Sequence, residues 1–93
     1  MNLKTDDREN VDRGDLISAL NLLSKAIKCR LREKGFYAWQ SSHEILGVVT
    51  EEYNEVIDEV HNNDNRALVC ELTDLAVACI HGIASIVGGK VHW

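Results

Sequence analysis

Between residues 75 and 89 the chain reads LAVACIHGIASIVGG, with no Asp, Glu, Lys or Arg. This run belongs to a longer segment, 65–87, in which apolar residues recur at helical spacing. Leu68, Leu72, Leu75, Cys79, Ile83 and Ile86 form one stripe, and Val69, Ala76, Ile80 and Val87 form another. Beyond Asp74 almost no polar face remains, and a helix that is apolar all round has to be covered all round. The uncharged run is too short to span a bilayer and contains His81. A chain of 93 residues lies near the lower size limit for one stable core. The remaining helices of such a small monomer cannot cover this segment. The sequence therefore predicts an all-α helical bundle completed by oligomerisation, with the third helix near a subunit interface.

The rest of the chain agrees with a helical fold. It contains no proline, and Ala, Leu, Glu, Val and Ile dominate its periodic segments. Residues 1–14 carry four acids and three bases with little apolar content, which predicts a flexible N-terminal tail and a single helical domain over 15–93. Asp15 is the expected cap of a first helix over 16–34, with Leu16, Leu20, Leu23, Ile27 and Leu31 on one face and Gly35 at its end. The loop 36–40 holds Phe36, Tyr37 and Trp39. Ser41 and Glu44 have capping-box spacing, so a second helix starts there and runs to about residue 60. Its apolar stripe is Ile45, Val49, Tyr53, Val56 and Val60, which puts Tyr53 on the core side. Glu52, Glu55 and Glu59 line an adjacent stripe. Residues 61–64 read as a turn, and Gly88-Gly89 ends the third helix.

Charge and cysteine content narrow the function. The net charge of −5 argues against nucleic-acid binding. Residues 44–74 carry nine acids and only one base, Arg66, whereas residues 25–34 carry five bases and one acid, Glu33. A segment suited to cations thus adjoins one suited to anions, although a solvated helix face is the simplest explanation of any single charge. Cys29, Cys70 and Cys79 lack CxxC spacing and read as small buried apolar residues in a reducing compartment, which argues against zinc. The polar N-terminus does not read as a signal peptide. These features together predict a cytoplasmic protein with no membrane partner.

The chemistry lies in two short acidic motifs, Glu52-Tyr53-Asn54-Glu55 and Glu71-Leu72-Thr73-Asp74. Residues three apart share a helix face. If the second and third helices pack antiparallel, four carboxylates converge, and such a group calls for a cation. Glu-x-x-Glu and Glu-x-x-Asp each arise by chance on solvated helices; the pair beside apolar stripes is much more specific. Oxygen donors of this kind suit Mg²⁺, which is typically shared between carboxylates and substrate phosphates. Glu51 and Glu59 flank the group, and one of them, Glu51 in the first instance, is placed to orient a water or act as general base. A di-iron bundle requires Glu-x-x-His, and none of the four histidines stands three residues after a glutamate.

Glu51, Glu52 and Glu55, a short gap, then Glu71 and Asp74 leading into an apolar helix resemble the all-α nucleoside triphosphate pyrophosphohydrolases. That superfamily includes the MazG-like proteins, the dimeric dUTPases and the phosphoribosyl-ATP pyrophosphatases. The stretch 35–84 is most similar to small MazG-like proteins of phages and mobile elements. The resemblance implies Mg²⁺-dependent hydrolysis of a (d)NTP to the monophosphate and pyrophosphate, in the role of nucleotide-pool house-cleaning, with Mn²⁺ as a substitute ion. It also implies metal ligation by Glu52, Glu55, Glu71 and Asp74, and a homodimer or tetramer whose subunits share each site. Many members continue into a further helical segment carrying Lys or Asn, whereas here Lys90 is the only base after the third helix. Phosphate contacts are accordingly expected from Lys25, Lys28 or Arg32 of the first helix. Trp39 and Phe36 either stack on a base or plug the bundle end, and a packed, hydrogen-bonded state is the simpler reading of His81. The alternative function is a catalytically inactive metal- or nucleotide-binding helical oligomer of the same fold. A further rival is an interaction domain whose acids are merely solvated.

Overall fold

The computed structural model describes residues 8–93. Among these, three helices and no strand are present: α1 (Arg13–Lys34), α2 (Ser42–Asn62) and α3 (Asn65–Val87). The fold is all-α, as the periodicity predicts.

Local chemistry sets each boundary. The α1 cap is Asp12 rather than Asp15. The Asp12 carboxylate accepts from the Asp15 N–H at 2.8 Å, and the Asp15 carboxylate accepts from the Asp12 N–H at 3.0 Å. This reciprocal pair satisfies two N–H groups that a helix start would otherwise leave open, which moves the start ahead of the expected residue 16. Arg13 and Gly14, expected in the tail, are therefore helical; residues 1–7 of that tail lie outside the described residues. Gly35 closes α1 at φ +79°, a backbone region that suits glycine, and its N–H donates to the Leu31 carbonyl. Ser41 caps α2 by accepting from the Glu44 N–H at 3.0 Å. The Glu44 carboxylate reaches the Gln40 N–H at 2.9 Å, one residue upstream of the reciprocal box position. α2 continues to Asn62, because Asn63 takes the left-handed conformation (φ 56°, ψ 35°) that asparagine tolerates. Asp64 then caps α3 through the Ala67 N–H. After α3 the chain returns beside the start of α2: the His92 N–H donates to the Gln40 carbonyl at 2.8 Å and the Ser42 N–H to the Trp93 carbonyl at 2.6 Å.

The tight connection at Asn63 and Asp64 folds α2 and α3 into an antiparallel hairpin, the main packing unit. α1 lies against α3 and does not pack on α2. The buried part of α3 is its small-residue face, Val77, Ala78, Gly82 and Ser85. Trp39 fills the space opposite and is only 8% exposed. A Cβ on Gly82 would stand 3.1 Å from Ile45 Cγ2 and 3.7 Å from the Trp39 ring, so this glycine allows the close approach.

As the sequence predicts, one chain leaves α3 uncovered: Val69, Leu72, Ile80, Ile83 and Ile86 of its stripes remain exposed. Tyr53, expected on the core side, is exposed as well. Cys29, Cys70 and Cys79 are exposed rather than buried. Val69 and Leu72 line an apolar groove against Leu16, Leu20 and Leu23 of α1 that leaves both about half exposed. By length and composition alone α3 can cross a membrane, with a mean hydropathy of 1.6 over its most apolar window. Its Glu71 and Asp74, however, turn toward the acids of α2.

Candidate metal centre and adjoining cleft

The hairpin sets the register of the acids. Glu52 pairs with Asp74 and Glu55 with Glu71, both pairs symmetric about Asn63 in sequence. Glu52, Glu55, Glu71 and Asp74 each offer an oxygen, and these four atoms all lie within 4.8 Å of one another. Glu52 Oε2 and Glu71 Oε2 are buried and have no hydrogen-bond partner. A buried, unpartnered carboxylate oxygen is costly.

Proton affinities reflect this crowding. Glu71 is pushed up to about 7, first by hydrogen bonding to the Glu55 carboxyl, then by burial and by the charges of Glu55, Asp74 and Glu52. Glu52 is raised by burial and then by the charges of Glu55 and Asp74. Asp74 is raised by burial and by Glu55, with nearby Lys34 acting in the opposite direction. A divalent cation would remove all three penalties: it offsets the repulsion, gives the orphaned oxygens a partner and favours the ionised carboxylates. The donors are all hard oxygens, and among the described residues no cysteine or histidine belongs to the group. The residues present therefore fit a hard divalent ion.

Glu51 sits on the exposed side of α2, outside this group, and its charge contributes to raising Glu52. Glu59 is half-buried one turn beyond Glu55.

Because α1 leans on α3 without touching α2, a cleft of about 530 Å³ opens between them. Glu52 and Asp74 stand on one wall, Arg30 and Lys34 on the α1 wall together with the acid Glu33, and Trp39, Val48 and Val77 are among the residues between them. Lys25, Lys28 and Arg32, the bases expected to meet phosphate, are exposed and do not line this cleft. Lys28 and Arg32 share a face that is two residues, or about 200°, away from the face of Arg30 and Lys34. The sequence carried a signal for the inward pair. Positions 23, 27, 30, 31 and 34 continue one helical stripe, so the bases adjoining Leu23, Ile27 and Leu31 are those that face α3.

Arg30 is tied down from two sides. Its guanidinium carbon lies 5.5 Å from the centroid of the Trp39 ring, and Nη1 is 3.2 Å from His81 Nδ1. His81 Nε2 is 2.6 Å from the Tyr37 carbonyl oxygen, which can only accept. That contact assigns the proton to Nε2 and leaves the Nδ1 lone pair to accept from Arg30. The edge of one ring meets the face of the other between Trp39 and His81, at 4.6 Å. The Trp39 N–H donates to Ser85 Oγ, and Ser85 Oγ donates to the His81 carbonyl. Trp39 is thus both packed core and cleft wall, whereas Phe36 is 81% exposed and lines only a neighbouring apolar pocket.

The family model for the MazG nucleotide pyrophosphohydrolase domain matches residues 40–86, just over half of the chain and the whole of the α2 and α3 acid motifs. No curated protein and no solved structure matches the chain. The chain belongs to the MazG family.

Proposed function

We propose that this MazG-family protein is a Mg²⁺-dependent nucleoside triphosphate pyrophosphohydrolase that converts a (d)NTP and water into a (d)NMP and pyrophosphate, clearing unwanted nucleotides from the cytoplasmic pool. The observation that carries the reading is the four-carboxylate group with two buried, unpartnered oxygens, set on the wall of a cleft whose opposite wall carries Arg30 and Lys34 beside a single acid, Glu33. Glu52, Glu55, Glu71 and Asp74 would hold Mg²⁺, or Mn²⁺ in its place. Bound there, the ion would supply charge neutralisation for the phosphates and a lowered pKa for an attacking water.

The protein's own side chains do the rest. Glu71, whose proton affinity is raised by its carboxylate neighbours and by burial, has to give up its proton as the ion binds. Glu51, next to Glu52 and free in solvent, orients the incoming water or takes its proton. The cationic wall receives phosphate oxygens, and the Trp39 ring is the aromatic surface nearest to it. The exposed apolar surface of α3 supports assembly into a dimer or tetramer, because Ile83, Ile86 and Val87 would otherwise face water.

The test is a panel of canonical and modified (d)NTPs incubated with Mg²⁺ while monophosphate and pyrophosphate are measured. Both products are expected from at least one member of the panel, in equal amounts. Tight Mg²⁺–nucleotide binding with no turnover of any member would instead establish an inactive binding oligomer. No metal binding at all would leave a helical interaction domain with solvated acids.

A further inference from the structure

The feature outside the metal group with the most chemistry is the Arg30–His81–Trp39 unit. Arg30 is half-buried at the mouth of two cavities. One is the cleft shared with Glu52 and Asp74, and the other is an apolar pocket of about 350 Å³ beside Phe36 and Ile80. Among the described residues no carboxylate hydrogen-bonds to it; the atom it meets is the His81 Nδ1 lone pair. A guanidinium held this way keeps its full positive charge and most of its five N–H donors.

We propose that Arg30 is the anchor for the substrate's polyphosphate and that His81 is the residue that positions it. The argument rests on the hydrolase reading for the identity of the substrate and on the geometry for the anchor itself. Tyr37 fixes the His81 tautomer, since its carbonyl demands the Nε2 proton. The Nδ1 lone pair then holds one Arg30 N–H, and the Trp39 ring lies against the guanidinium. Trp39 is itself fixed by its N–H on Ser85 and by the absence of a side chain at Gly82. Two contacts from two different elements thus orient the fork before any ligand arrives. Pre-orientation reduces the ordering cost of binding and favours bidentate contact with phosphate oxygens. Lys34, one turn further along α1, faces the same cleft beside Asp74 and adds a second, more mobile charge.

The device explains why His81 stands in an otherwise apolar half of α3. A histidine with both ring nitrogens engaged is more than a filler of space, because a leucine of similar volume would leave the Tyr37 carbonyl and the Arg30 N–H without these partners.

The test uses inorganic tripolyphosphate with saturating Mg²⁺, a probe that has the phosphate chemistry and no base or sugar. Calorimetry on the full chain measures its affinity for wild type, Arg30→Ala, Arg30→Lys, His81→Ala and His81→Asn. Mn²⁺ affinity and helicity are measured alongside for each. Arg30→Ala is expected to lose about ten- to a hundred-fold in tripolyphosphate affinity, as for removal of a charged hydrogen-bond donor. Arg30→Lys keeps the charge but lacks the fork and recovers only part of that loss. His81→Ala is expected to lose about three- to ten-fold. His81→Asn places an amide oxygen near the Nδ1 position and restores affinity to within about two-fold of wild type. Mn²⁺ affinity stays unchanged in all four. In turnover, His81→Ala raises KM by the same factor as the affinity loss and leaves kcat within about two-fold.

Wild-type affinity in Arg30→Ala, no recovery in His81→Asn, or failure of the wild-type protein to bind tripolyphosphate would each overturn the proposal. If alanine at position 30 or 81 abolishes folding, Arg30→Lys carries the test, and unchanged affinity there has the same force. The hydrolase reading fails separately. Tripolyphosphate held through Arg30 with no nucleotide turned over refutes the hydrolase reading and leaves the anchor intact. Turnover with tripolyphosphate affinity independent of Arg30 does the reverse.

Discussion

At the scale of single residues, burial and neighbouring carboxylates raise the proton affinity of Glu52, Glu71 and Asp74. Glu71, raised to about 7 from an ordinary 4.5, makes a stability prediction with a definite sign. Its folded-state pKa lies above the unfolded one, so its contribution is fully present below about pH 4.5 and is lost as pH rises through about 7. Without metal, the thermal midpoint should therefore fall between pH 5 and pH 8, and Glu71→Gln should flatten that fall. Added Mg²⁺ should raise the midpoint most at the upper end of the range, where the carboxylates are ionised. A midpoint without metal that rises steadily over this range in wild type, and equally in Glu71→Gln, would contradict the coupling. Glu55→Gln and Asp74→Asn should each abolish metal-dependent turnover with helicity nearly unchanged; turnover at the wild-type rate in either would remove that residue from the ligand set. Ser85→Ala belongs to the same scale. It leaves the buried Trp39 N–H without its 3.0 Å acceptor and should cost about 1–3 kcal/mol in denaturant unfolding.

At the scale of elements, the α2–α3 contact depends on the missing side chain at Gly82. Ala is the better helix former by about 1 kcal/mol. At position 82, however, its methyl would press on Ile45, whose β-branched side chain has little freedom to rotate away in a helix. Gly82→Ala should therefore destabilise the hairpin. Gly47 in α2 has nothing within 4 Å of a would-be Cβ, and Gly47→Ala should stabilise by about 0.5–1 kcal/mol. Opposite shifts in urea midpoint are the expected outcome, and shifts of the same sign would refute the close-approach argument. The caps were largely legible in the sequence, because Asp12-x-x-Asp15, Ser41 and Asp64 satisfy open N–H groups by local spacing alone. Choosing Asp12 over Asp15 depended on which of two linked residues stands first, and composition is silent on that. The faces of α1 were harder to read. By charge alone Lys25, Lys28 and Arg32 look as suitable for phosphate as Arg30 and Lys34; the stripe through Leu23, Ile27 and Leu31 favours the latter pair, and the packing of α1 on α3 puts that pair in the cleft.

At the scale of the whole molecule, the single chain is extended and poorly covered. Its radius of gyration is 15.9 Å, against about 12 Å for a compact domain of this length. Only Trp39, Val77 and Ala78 qualify as buried apolar residues among those described. An isolated protomer of this shape should be marginal, and sedimentation should find a dimer or tetramer whose thermal midpoint rises with concentration. Ile83→Lys, at a residue 56% exposed in the protomer, should be nearly neutral for the monomer fold yet shift the assembly toward monomer. An unchanged assembly in that variant would place the interface away from this part of α3. Association with lipid vesicles instead of self-association would assign the apolar surface of α3 to a membrane.

The sequence by itself determined the three helices and the pairing of the acid motifs. Both follow from short-range rules: helical periodicity, capping chemistry and the shared face of residues three apart. It also carried the uncovered character of α3, because an apolar surface is counted along the chain. Only the tertiary structure decided that Arg30 and Lys34 share a cleft with the acids, that the small face of α3 rather than its large stripes meets Trp39, and that His81 holds Arg30. These depend on the lean of α1 on α3 and on a turn of the 36–40 loop. They are distances between residues about 45–50 positions apart, which no local pattern of side chains encodes.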